Sequence, residues 1–77
     1  MAGLIDIQAL ESSIIWAEML IERGKGVEVV LRSLIESEDD SLDRLALDRD
    51  LEICMRTLQD LGELHTKYIG MKKVLYN

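Results

Sequence analysis

Seventy-seven residues allow one small domain with one core. Apolar residues at 48% and charged residues at 31% fit a folded chain rather than a disordered one, and the absence of Pro with only five Gly argues against a turn-rich β-sandwich. A net charge of −6 disfavours a general nucleic-acid binder, while a single Cys and a single His exclude a disulfide scaffold and a four-ligand structural zinc site.

The first segment is a helix. Asp6 suits its N-cap and Gly24, directly after Arg23, suits the position just past its end. Between them Ile7, Leu10, Ile14, Ala17 and Ile21 recur at alternating steps of three and four, which is one helix face. Ile15, Trp16, Met19 and Leu20 widen that apolar stripe. Gly24, Lys25 and Gly26 then interrupt the pattern. Two glycines inside a helix cost together about 2 kcal/mol relative to alanine, so the first arm is expected to break here, or at least to kink. Val27, Val30, Leu31, Leu34 and Ile35 form a second amphipathic stretch, and a lone strand would have no partner.

Residues 36–41 form an acidic connection, in which Asp40 with Asp43 approximates a capping box. From Ser41 one long helix follows, to Ile69 or beyond. Its seam is Leu47, Leu51, Cys54, Leu58, Leu61, His65 and Tyr68, spaced four and three. Met55, Gly62, Ile69 and Tyr76 recur every seven residues on one flank, and Leu64 and Met71 lie on the other. The expected fold is all-α, an antiparallel helical hairpin or small bundle. If the chain turns about Asp39, position 16 faces position 62. Gly62 is then expected to make room for the Trp16 indole.

Charge is concentrated. Residues 36–52 hold eight acids and two bases, and the rest of the chain holds seven of each, so the whole −6 belongs to the connection and the start of the long helix. Glu38, Asp39, Asp40, Asp43 and Asp48 are the candidate acidic contacts for a basic partner.

Chemistry-bearing motifs are lacking. Ala2 to Asp6 match the middle of the LAGLIDADG homing-endonuclease motif, but its metal-binding acid falls on Gln8 and its close-packing glycine on Ala9. The match is coincidental, and the chain has no sheet to lay on DNA. Residues 39–50 resemble a calcium loop only loosely, with Arg44 where Gly is needed and Asp50 in place of the final Glu. Cys54 and His65 stand eleven residues apart on one helix, roughly 16 Å by its rise, against the roughly 3 Å of a proton transfer. Both read as seam residues. No catalytic residue, cofactor or metal is expected.

The apolar run 14–21 contains Glu18 and is far shorter than a span of about 20 residues. No Lys or Arg precedes Arg23, so the charged start of a signal peptide is missing, and a lone Cys suits a reducing compartment; a cytoplasmic location is expected.

Two helices cannot hide stripes this wide, and neither metal nor disulfide helps so small a domain. The expected function is therefore protein–protein interaction, as an adaptor, co-chaperone or inhibitor. The apolar contacts are expected at Trp16, Met19, Leu20, Met55, Leu64, Tyr68 and Ile69. The partner is another protein or a second copy, with a homodimer the first choice. The alternative is an acidic decoy that mimics nucleic acid through residues 36–52. Direct nucleic-acid binding and membrane association are not expected.

Overall fold

Two helices account for the structure, a computed structural model that describes the backbone over residues 3–76 and side-chain environments over residues 7–75. Helix α1 spans Gly3–Ser37 and helix α2 spans Ser41–Tyr76. They pack against each other as an antiparallel hairpin. No strand occurs among the described residues.

The turn shows why the chain reverses where it does. Asp40 Oδ1 accepts the backbone N–H of Leu42 at 2.9 Å and of Asp43 at 3.2 Å, which caps α2. The other half of the expected capping box is filled differently. The Asp40 N–H donates to Glu38 Oε1 at 3.0 Å, not to Asp43. Arg44 reaches back and donates to the Glu38 carbonyl at 2.6 Å. The connection is thus only residues 38–40, shorter than the 36–41 read from composition.

The expected break at Gly24 does not occur. Helix α1 runs without interruption through residues 24–26, and no glycine among the described residues adopts positive φ. It also begins at Gly3, so Asp6 lies within the helix and does not cap it. The reason for continuity is tertiary. A Cβ on Gly24 would stand 2.5 Å from Leu58 Cδ2 and 3.2 Å from its Cγ. The glycine lets α1 approach α2 closely at this level, and the Cys54 thiol donates to the Gly24 carbonyl at 3.5 Å. Packing against a partner helix outweighs the helix propensity lost at two glycines.

The seam of α1 therefore continues past Ile21 as Gly24, Glu28, Leu31 and Ile35, still at steps of three and four; every one of these positions is partly covered. On α2 the expected seam from Leu47 to Tyr68 is likewise the partly covered row, and it extends to Lys72. Helix α2 runs on past Ile69, through Gly70, to Tyr76.

Only Leu10, Ile14 and Ala17 are buried among the described residues, and of these only Ala17 completely. The molecule is a rod of 59 × 16 × 14 Å with a radius of gyration of 17.3 Å, where a compact 77-residue domain has about 11.5 Å. A two-helix rod has almost no interior, so most of its apolar side chains must find cover outside the single chain or stay in water.

Candidate protein-interaction face

Beside the seam each helix has two flanks, and the sequence repeats every seven residues along each. On α1 one flank is Glu11, Glu18, Lys25 and Arg32, all charged. The other is Ser13, Leu20, Val27 and Leu34, apolar after its first member. The hairpin therefore has two unlike sides.

The charged flank of α1 meets the Met55, Gly62 and Ile69 flank of α2. The Arg32 guanidinium lies 3.7 Å from the Met55 sulfur and 3.8 Å from Glu28 Oε1. Nearby, His65 Nε2 and Glu18 Oε1 are 3.1 Å apart, an ion pair when the imidazole is protonated. His65, expected as a seam histidine, is on the seam and half-buried with a carboxylate partner.

The other side is an open apolar groove of about 580 Å³ between the helices. Leu20, Val27 and Leu31 line it from α1, and Ile53, Thr57 and Leu61 from α2. Gly24, Cys54 and Leu58 form its floor, while Arg23 and Asp50 stand on its rims. The same α2 flank continues through Leu64 to Met71. Met71 lines a second hollow of about 470 Å³ with Leu10, Val74 and Leu75. Val27 is 51% exposed and Ile53 63%, so aliphatic side chains on both banks face solvent in the single chain.

The expected apolar contacts divide between the two sides. Leu20 lines the groove, and Leu64 continues its α2 bank. Trp16 and Met19, each 54% exposed, lie next to the Leu20–Val27 flank on the outward surface of α1. Tyr68 belongs to the seam and is half-buried. Met55 and Ile69 fall on the opposite side with Arg32 and Gly62. The pairing of Trp16 with Gly62 does not form: the indole is exposed, and a Cβ on Gly62 would meet nothing within 4 Å. Sequence reasoning misses Val27, Ile53 and Leu61 as groove residues. For Val27 the signal is the recurrence of Leu20, Val27 and Leu34 every seven residues beside the seam; the α2 residues have none within their own helix.

Among the acidic candidates, Asp39, Asp40, Asp43 and Asp48 are exposed and Glu38 is half-covered. Glu38 and Asp40 are engaged in the turn. Residues 41–50, most of the loose calcium-loop match, are the first turns of α2. No helix among the described residues is long and apolar enough to cross a membrane. No family model matches the chain, and no curated protein or solved structure is significantly similar to it.

Proposed function

We propose that the protein is a non-enzymatic interaction module that docks an amphipathic helix, from another protein or from a second copy, along the groove between α1 and α2. An adaptor, co-chaperone or inhibitor role fits this reading, and a cytoplasmic site of action fits the lone Cys54. One observation carries it. Leu20, Val27 and Leu31 face Ile53, Thr57 and Leu61 across an open trough, with only Arg23 and Asp50 as charged groups on its rim. Such a surface gains by excluding water, and the seven-residue repeat of its banks matches the knobs of a third or fourth helix. The acidic-decoy reading rests on Asp39, Asp43 and Asp48, which are exposed and whose side chains take no part in the cap of α2.

A photo-crosslinking amino acid at Val27, compared with one at Lys25 on the charged flank, tests the reading in cells. Docking predicts adducts from position 27 only, retained when cells are lysed in 0.5–1 M salt, where charge contacts are screened to about 3–4 Å. Adducts from both positions, or adducts lost with salt and with Asp39, Asp43 and Asp48 changed to Asn, contradict docking and favour the decoy.

A further inference from the structure

We infer that the occupant of the groove is a second copy of the chain, laid face to face and antiparallel, so that two hairpins form a four-helix bundle with their acidic turns at opposite ends. This rests on the docking reading and names its partner. Two independent observations point to it.

The first is area. The single chain exposes 6083 Å². A compact monomer of 8.8 kDa exposes roughly 4,800 Å² by the usual scaling. The excess, about 1,300 Å², is above the roughly 800 Å² that each partner contributes to a standard interface. Trp16, Val27, Val30 and Leu34 of α1 and Ile53 and Met71 of α2 are exposed on this side, against Ile15, Val29 and Met55 on the other. Monomers rarely expose contiguous apolar patches beyond a few hundred Å². A hairpin of the same length, with two such banks, covers this face from end to end, and its own face is covered in return.

The second is charge, which chooses the orientation. Both face-to-face two-fold arrangements keep neighbouring helices antiparallel. With the axis along the rod, the two turn regions lie side by side, −6 against −6, since residues 36–52 carry the whole net charge. With the axis across the rod, each turn lies beside the charge-balanced part of the other copy. Like charges in contact oppose the first arrangement and leave the second. An axis near the middle of the rod, at the level of Leu20, overlaps the two hairpins end to end and sets Trp16 of one copy at the level of Gly24 of the other, between its Leu20 and Val27. The indole, exposed in the single chain, becomes an interface anchor.

The geometry sets a distance. From Leu20 to the turn is about 19 residues, or about 28 Å at 1.5 Å per residue. The two turns of the dimer are therefore about 55–60 Å apart, against under about 20 Å in the parallel arrangement. The test uses the full chain. Sedimentation equilibrium from 1 to 200 μM is run on the wild type, V27D and K25Q. Pulsed electron–electron double resonance is run on S41C/C54S carrying one spin label per chain. Expected are a mass rising to twice 8.8 kDa, at least tenfold weaker association for V27D, wild-type association for K25Q, and a label distance near 55–60 Å plus the tether lengths. The label distance needs no groove substitution to an acid, so it decides even if V27D fails to fold. A monomer at every concentration overturns the inference, as does a dimer with labels under about 25 Å or one insensitive to a folded V27D. A monomer that still crosslinks from position 27 to a different protein overturns the second copy alone. A monomer without such crosslinks overturns the docking reading too.

Discussion

Replacing Gly24 by Ala puts a methyl carbon 2.5 Å from Leu58 Cδ2, 3.2 Å from Cγ and 3.8 Å from Cδ1. Two effects oppose each other. In a helix interior Ala is favoured over Gly by about 1 kcal/mol. Overpacking a seam typically costs about 1–3 kcal/mol, and here Leu58 must leave its rotamer because both Cγ and Cδ2 are too near. G24A is therefore expected between neutral and about 2 kcal/mol destabilising. Gly26, two residues away, has nothing within 4 Å of a built Cβ. G26A keeps the whole propensity gain and raises stability by about 1 kcal/mol, which is about 4–8 °C in Tm for a chain this size. Shortening Leu58 to Ala removes the opposing atoms, so in the L58A background G24A becomes stabilising. Urea and thermal unfolding followed by far-UV circular dichroism give the double-mutant cycle. All variants are measured at one protein concentration, because self-association feeds into apparent stability. If G24A and G26A stabilise equally, with no coupling to Leu58, then α1 does not approach α2 through Gly24, and close packing at that level is not what keeps α1 continuous.

Three further outcomes rest on particular contacts. D40A removes the acceptor of two backbone N–H groups and costs about 1 kcal/mol, whereas D40N retains most of that; urea midpoints separate them. A Cβ at position 62 meets nothing within 4 Å, so the stability of G62L stays level or rises by up to about 1 kcal/mol; a loss of about 2 kcal/mol or more would restore the Trp16–Gly62 pairing. E18Q removes one partner of the His65 contact, of which the carboxylate side is 57% exposed, and shifts stability by under about 1 kcal/mol at neutral pH.

The α2 seam is legible in the sequence because the positions from Leu47 to Tyr68 keep the three-four step without a gap. The continuity of α1 is hidden when Gly24 is given its intrinsic propensity and its register is overlooked. Ile21, Gly24, Glu28, Leu31 and Ile35 hold the same step, and a glycine on a seam signals close approach as readily as a helix end. Folding back about Asp39 places Trp16 and Gly62 at nearly the same level, but level is not face. Gly62 recurs with Met55 and Ile69, and Trp16 lies beyond the Leu20–Val27 flank. The two sides of the hairpin become distinguishable once Glu11, Glu18, Lys25 and Arg32 are seen to share one flank. That row leaves Leu20, Val27 and Leu34 as the apolar side. The α2 bank opposite them follows only from antiparallel packing, which a single helix's sequence does not contain.

If a second copy covers the groove, one side of this rod is shielded in the working protein and the other is not. Carbene footprinting of the purified chain across the same concentration range reads this residue by residue. Face-to-face pairing predicts that labelling at Trp16, Val27, Ile53 and Met71 falls as concentration rises, while labelling at Met55 and Arg32 holds constant. Uniform labelling at every concentration, or shielding on the Met55 side, contradicts it.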